Sequence, residues 1–266
     1  MGKVIIITGA SSGFGKEAAE LLSSKGHTVY GISRRGLADK GVHGIAADVR
    51  DRDAIRREIA AIAEHEGHID VLINNAGMGI GGSLELATPD EIDLQMGVNF
   101  GGCVTLCQAV LPYMRRQHSG RIINISSIGG VMGLPYQGFY SASKFAIEGF
   151  SEALSAEVRR FGIDVCLVEP GDFATGFTAS RRNSQATLDD PDYGPVFANS
   201  LSLIEKEENG GLRPEKMAQR IVKIVECRRP RFRYVVANLE QWFSVVLKRI
   251  TPGNWFVSIL RDYYKS

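Results

Sequence analysis

The sequence predicts an α/β protein, a doubly wound parallel sheet of about seven strands with helices on both faces. Three observations carry this prediction. Short β-branched runs alternate with stretches of helical periodicity along the chain. A glycine-rich turn, Thr8-Gly9-Ala10-Ser11-Ser12-Gly13-Phe14-Gly15, joins the first strand directly to the first helix. Later strands end in residues such as Asn74-Asn75-Ala76-Gly77 and Pro170-Gly171, so polar groups collect at the carboxyl edge of the sheet, where open α/β sheets bind ligands.

The strands are expected near residues 3–8, 28–33, 42–47, 69–74, 120–126, 163–169 and 232–236, with helices at 14–25, 51–66, 90–117, 137–161 and 214–228. The first strand is the run Val4-Ile5-Ile6-Ile7, and the helix after it opens on Lys16-Glu17-Ala18-Ala19-Glu20-Leu21-Leu22. The fourth strand is the apolar run Ile69 to Ile73, and the sixth runs from Asp164 to Glu169. No repeat, low-complexity segment or linker divides the chain, so residues 1–266 read as a single domain. The longest irregular stretch, 171–212, holds Pro191, Pro195 and Gly210-Gly211 and leaves the carboxyl end of the sixth strand, which suits a lid. A C-terminal extension, about 238–266, carries Trp242, Phe243, Val246, Leu247, Trp255, Phe256, Ile259, Leu260, Tyr263 and Tyr264 at roughly helical spacing. Pro252-Gly253 breaks it into two short helices, expected to pack on the domain or a partner subunit in preference to a membrane surface.

Composition excludes several classes. Lys plus Arg number 31 against 30 Asp plus Glu, so the cationic footprint of a nucleic-acid binder is missing. The four-residue apolar run before Thr8 is too short for a secretory core, and no apolar stretch is expected to span a bilayer, which together favour a cytoplasmic setting. Cys103 and Cys107 stand at helical spacing with no further Cys or His nearby in sequence to complete a metal site, so they and Cys166 read as buried thiols and no metal is expected.

Tyr140 and Lys144 carry the chemistry. Four residues apart on a helix, they lie one above the other. A phenol titrates near pH ~10, and a fixed ammonium beside it favours the phenolate and brings it toward the working range. The glycine turn lets backbone approach a pyrophosphate at a helix N-terminus, although its spacing, Gly-x-x-x-Gly-x-Gly, departs from the common dinucleotide fingerprint.

Together these motifs resemble the short-chain dehydrogenase/reductase family in its single-domain form, a Rossmann fold. Asn74 to Gly77, Asn99, Ser127, Pro170-Gly171 and Thr175 fall at the family's order and spacing, so the resemblance is specific from Thr8 to Thr175. It implies a catalytic set of Asn99, Ser127, Tyr140 and Lys144. Tyr140 would exchange a proton with the carbonyl or alcohol oxygen, Lys144 would hold the nicotinamide ribose, Ser127 would bond the substrate oxygen, and Asn99 would hold a water that relays protons to Lys144. The cofactor would lie on Gly9, Ser11, Ser12, Gly13, Phe14, Gly15, Asp48, Val49, Asn75, Ala76, Gly77, Tyr140, Lys144, Pro170, Gly171 and Thr175. After the second strand stand Ser33, Arg34 and Arg35 where an acid would select NAD, so NADP(H) is expected, its phosphate paired with Arg34 and Arg35. The branch resembled is that of hydroxysteroid and retinol dehydrogenases, with ketosphinganine reductases also similar. It implies a lipophilic carbonyl or alcohol substrate and a homodimer or homotetramer. Phe173, Phe177, Leu188, Tyr193, Val196, Phe197, Leu201, Leu203 and Ile204 give the lid an apolar surface to close over such a substrate.

Two rival readings fail and one remains. Gly9 to Gly13 matches a hydrolase nucleophile elbow, yet no histidine follows His118. A triphosphatase loop requires glycine where Ala10 stands and Ser or Thr where Glu17 stands. A non-catalytic NADP(H)-sensing or scaffold protein on the same fold is the alternative, against which the retained Ser127, Tyr140 and Lys144 count.

Overall fold

The computed structural model describes residues 2–36 and 39–264. The chain begins β1 (Val4–Thr8), α1 (Gly13–Ser24), β2 (Thr28–Ser33), β3 (Val42–Ala46), α2 (Arg52–Glu66), β4 (Val71–Asn74) and the short β5 (Ile80–Gly81). It continues α3 (Pro89–Met96), α4 (Gly102–Gln117), β6 (Gly120–Ile125), α5 (Gly138–Val158) and β7 (Ile163–Pro170). Beyond β7 come α6 (Gly176–Ser180), β8 (Arg182–Asn183), α7 (Gln185–Asp189), α8 (Tyr193–Asn209), α9 (Pro214–Glu226), β9 (Arg233–Val236), α10 (Leu239–Ile250) and α11 (Gly253–Tyr264).

Local chemistry sets the boundaries. The Asp51 carboxylate accepts the Ala54 N–H at 2.9 Å to start α2, and Gly67, at φ 76°, ends it. Thr88 and Glu91 form a reciprocal capping box ahead of α3, with Pro89 at its first position. All seven expected strands are present in one parallel sheet of order β3-β2-β1-β4-β6-β7-β9. Alternate residues feed opposite layers. Ile6, Leu72, Ile122 and Val165 pack with α2, α4 and α5, whereas Ile5, Ile7, Ile73, Ile123 and Val168 pack with α1 and α9. The strand order reverses between β1 and β4, and a crevice opens there at the carboxyl ends.

Three expectations are corrected. Residues 171–212 are not irregular. They form α6, β8, α7 and α8, with β8 paired to β5, and Phe197 is fully buried against Tyr136 at 5.4 Å between ring centroids. Part of the apolar content expected to cover a substrate therefore packs the segment against β5 and the loop before α5. The helix expected at 90–117 is interrupted by a π turn at Gly97–Gly101. Finally, the helical span Pro89–Gln117, of 29 residues and mean hydropathy 1.3 in its most apolar window, is long and apolar enough to cross a membrane. It is a core element, with Leu106, Cys107, Val110 and Met114 fully buried against the sheet.

Candidate active site

The turn after β1 is built for close backbone approach. Gly9 and Gly13 have φ of 69° and 51°, in the left-handed region that favours glycine. A Cβ on Gly9 would stand 2.9 Å from Asn75 Nδ2 and 3.0 Å from Ala76 Cα. The loop after β4 is bolted to this turn, because Thr8 Oγ1 accepts the N–H groups of Asn75 and Ala76 at 3.0 Å each, and Asn75 Nδ2 donates to Thr8 O at 2.9 Å. A Cβ on Gly15 would collide with Gly9 O. Ser12 precedes α1 in extended conformation and its side chain does not cap the helix, which leaves the first-turn N–H groups to an anion. Gly13 faces the Thr175 side chain, and the Phe14 ring packs edge-on against Phe173 at 4.8 Å. Pro170 closes β7, and the Gly171 N–H donates to Val236 O at 3.0 Å.

At the other end of the groove, Arg35 Nη2 donates to Ser11 O at 3.2 Å and to Ser11 Oγ at 3.1 Å, while Arg34 is exposed. The sequence reading missed Arg50, whose Nη2 lies 2.7 Å from Asp48 Oδ2 and holds that carboxyl below its ordinary range. Val49 is buried against Gly102, where a Cβ would come within 2.6 Å of it.

Of the four expected catalytic residues, Asn99 and Lys144 flank Gly77, while Ser127 and Tyr140 meet beside Gly129. A Cβ on Gly77 would lie 3.5 Å from Asn99 Oδ1 and 3.7 Å from Lys144 Nζ. Asn99 sits in the π turn; its Oδ1 accepts the Met78 N–H at 2.8 Å, and its Nδ2 donates to Met78 O at 3.0 Å and Ser143 Oγ at 2.9 Å. None of these bonds reaches Lys144. What they do is clamp the loop after β4 to α5. Lys144 Nζ donates to Ile125 O at 2.9 Å and stands 5.8 Å from the Tyr140 ring centroid. Ser127 Oγ accepts the Gly129 N–H at 3.0 Å, which leaves its own proton for an oxygen in the crevice.

Electrostatics correct one expectation. Burial pushes the Tyr140 phenol up to about 12, with a hydrogen bond from Ser127 pulling the other way, so it is a proton donor at neutral pH. The Lys144 ammonium, 5.8 Å from the ring centroid, does not outweigh that burial. Burial instead brings Lys144 itself down to about 8, because an ammonium in an apolar wall loses solvation.

These groups line one cavity of about 740 Å³. Gly9, Ser12, Gly13 and Phe14 of the glycine turn, Asn75 to Gly77, Pro170, Gly171 and Thr175 form one end, and this backbone-lined end at the helix N-terminus suits a dinucleotide. The far wall comes from α8, α10 and α11, through Leu203, Ile204, Leu247, Phe256 and Leu260. Leu203 and Ile204 thus line the cavity as the sequence led one to expect of the lid, and Leu247, Phe256 and Leu260 come from the apolar C-terminal stretch, whose place on the cavity wall the sequence did not announce. The C-terminal helices therefore pack on their own domain, as expected, with Val245 and Phe256 buried against Met132. Leu239, Trp242, Phe243, Ile250 and Trp255 remain exposed on the outer side.

Comparison with known proteins agrees with this geometry. Residues 3–186 match the family model described as short chain dehydrogenase. The 3-ketodihydrosphingosine reductase of Bacteroides thetaiotaomicron is 53% identical over 263 residues, covering 98% of each chain. Retinol dehydrogenase 8 of Bos taurus is 33% identical, covering 94% of this chain and 86% of its own. The crystal structure of a short-chain dehydrogenase from Streptomyces avermitilis superposes with a TM-score of 0.84 at 31% identity, over 100% of this chain and 97% of that one.

Proposed function

The chain belongs to the short-chain dehydrogenase/reductase family and is an oxidoreductase that uses a nicotinamide cofactor, and on that premise we propose that it reduces a long-chain lipophilic ketone with NADPH. The observation that carries the reading is the cavity, which has Ser127, Tyr140 and Lys144 on one wall and apolar side chains of α8, α10 and α11 on the other. The name of the Bacteroides relative assigns that protein a long-chain ketone, and the near-complete overlap of the two chains supports the same substrate class here.

A bound nicotinamide supplies the hydride. Tyr140 donates its proton to the ketone oxygen, and Ser127 steadies the charge that develops there with its hydroxyl proton. Lys144 presents a positive charge under the ring of Tyr140, and Asn99 keeps the Gly77 loop against α5 so that this arrangement holds. The preference for NADPH rests on Arg35 beside Ser11, on exposed Arg34, and on Ser33 where an acid would exclude the phosphate. The reading takes the protein to act in the cytoplasm as a homodimer or homotetramer, with the exposed apolar stripe of α10 as a surface for self-association. Light scattering on the purified protein tests the assembly, and a monomer at every concentration contradicts it.

The function is tested by following NADPH oxidation with a long-chain 3-ketone, a steroid ketone, a retinoid aldehyde and a keto sugar. The long-chain ketone is expected to give the highest kcat/KM. No oxidation with any carbonyl would leave the sensor reading in its place.

A further inference from the structure

Lys144 is the charged member of the catalytic set, and it is only 5% exposed. Its ammonium donates to Ile125 O at 2.9 Å and has no carboxylate within ion-pair distance among the described residues. An ammonium taken out of water keeps its charge only where an opposite charge nearby offsets the lost solvation. Few groups face it. Asn99 on the π turn is a neutral amide, Cys103 on α4 is a thiol, and Tyr140 and Glu148 share α5 with it. A thiol or a phenol offers negative charge only at alkaline pH, whereas a carboxylate offers it across the working range. Glu148 is therefore the available counter-charge.

Glu148 stands one turn beyond Lys144 on the same face of α5 and is 8% exposed. It belongs to a cluster that joins three elements. Arg233 Nη1, on β9, donates both to Glu148 Oε2 and to Glu169 Oε1 on β7, and Glu169 is fully buried. Two carboxylates sharing one guanidinium leave one negative charge in excess, and Glu169 Oε2 is buried without a hydrogen-bond partner among the described residues. Such an excess destabilises the protein unless a further cation offsets it. Counted together with Lys144, the buried charges sum to zero. The electrostatics run the same way. Burial lowers Lys144, with Cys103 and Glu148 acting against it. Burial raises Glu148, the Ser126 hydroxyl draws it back, and Glu169 and Arg233 act in opposite senses.

We propose that Glu148 is a positioning residue for the reaction, which keeps Lys144 in its charged form under the ring of Tyr140 and is itself held by Arg233 and Glu169. The inference rests on the reductase reading above and names the group that sustains its lysine. Glu148 is not among the residues that line the cavity, so it acts through Lys144 and not on the ketone or the cofactor. The cluster has a second consequence. β9 is the edge strand that leads into α10, so Arg233 ties the catalytic helix to the strand from which the apolar wall of the cavity departs.

The test is the alkaline limb of the pH profile. The kcat/KM of a long-chain ketone with NADPH is followed against pH in wild type, Glu148→Gln, Glu148→Asp and Glu169→Gln. In wild type the ammonium is complete below about 8 and lost above it. Glu148→Gln removes the charge that opposes burial, so Lys144 should lose its proton earlier and the limb should move to lower pH by about half to one unit. Glu148→Asp keeps the charge and should leave the limb near its wild-type place. Glu169→Gln breaks a bridge to the same guanidinium but spares Glu148, and should move the limb by less than Glu148→Gln does. The Glu148→Gln variant leaves Arg233 paired one to one with Glu169, so it is expected to fold. A merely structural role would lower kcat/KM at every pH and leave the limb in place; that result, or an equal shift in Glu169→Gln, overturns the proposal. A second readout does not depend on turnover. The Lys144 side chain is titrated by NMR of lysine Cε–Nζ groups in the protein without ketone, its signal identified by its loss in Lys144→Met. The midpoint should fall near about 8 in wild type and lower in Glu148→Gln. If the protein reduces no ketone yet this midpoint moves, the role of Glu148 stands and the reductase reading falls. If it reduces ketones and neither the midpoint nor the limb moves, the role of Glu148 falls and the reductase reading stands.

Discussion

Before Gly171 the cofactor end of the cavity is shaped mainly by backbone, and after it the facing wall is made by apolar side chains. The cofactor end depends on glycines in left-handed conformations, on the unpaired N–H groups at the start of α1, and on loops tied together through Thr8, Asn75 and Asn99. Few other residues fit those positions, so the pattern is stated in the sequence. The substrate end is formed by α8, α10 and α11, where any apolar residue of suitable size can fill a wall position. The first region fixes a reaction, and the second adapts it to a substrate. Substitutions in the two should therefore fail in different ways.

The largest effect is expected at the reacting phenol of the first region. Tyr140→Phe removes the proton donor and should lower kcat by about 10²- to 10⁴-fold, while NADPH affinity, measured by fluorescence titration, stays close to wild type. Turnover near wild type would remove Tyr140 from the chemistry. Phe256→Ala empties the contact between α11 and Met132, at a cost of up to ~3–5 kcal/mol for a buried phenylalanine. Because that cost falls on the C-terminal helices, KM for a lipophilic ketone should rise about tenfold or more with little change in NADPH affinity. If both affinities fell together, the two regions would not be separable.

Smaller effects probe the cofactor end. Combined replacement of Arg34 and Arg35 by Ala should erase a preference for NADPH over NADH of roughly 10- to 100-fold, measured as the ratio of dissociation constants. A wild-type ratio of one would mean that neither guanidinium meets the phosphate. The pH profile gives the mildest test. Burial lowers Lys144 to about 8, so its ammonium is complete below that pH and is lost as the pH rises through it. Tyr140, near 12, stays protonated throughout. The kcat/KM for ketone reduction should fall above about pH 8, approaching tenfold per unit. A flat profile to pH 9.5 would show that the lysine charge is not needed.

The contrast also explains what could be read in advance. All seven strands and the clustering of Asn99, Ser127, Tyr140 and Lys144 followed from runs, turns and spacings that leave little choice of residue. Residues 171–212 were mistaken for an irregular lid because α6 and α7 are five residues each, too short for periodicity to declare them, and Pro191 and Pro195 flank the start of α8. Arg50 and Gln241 escaped notice for other reasons. Arg50 pairs with Asp48 only two residues away, a short-range contact of a kind that ordinary surface charges also make, whereas Gln241 is brought to Asp172 only by the fold, and nothing local marks it. The interaction of Lys144 with Tyr140 was read in its chemical sense but not in its balance, since desolvation depends on burial that spacing alone does not give.

The central claim is that the chemistry before Gly171 serves a long-chain ketone held by the helices after it. The most direct measurement is the ratio of kcat/KM values, with NADPH and the purified full chain, for a long-chain 3-ketone and a keto sugar. The apolar wall of Leu203, Ile204, Leu247, Phe256 and Leu260 predicts that the long-chain ketone exceeds the sugar by at least about 100-fold, since burying even a few methylenes at ~0.8 kcal/mol each exceeds that margin. Equal values, or a clear preference for the sugar, would contradict the account.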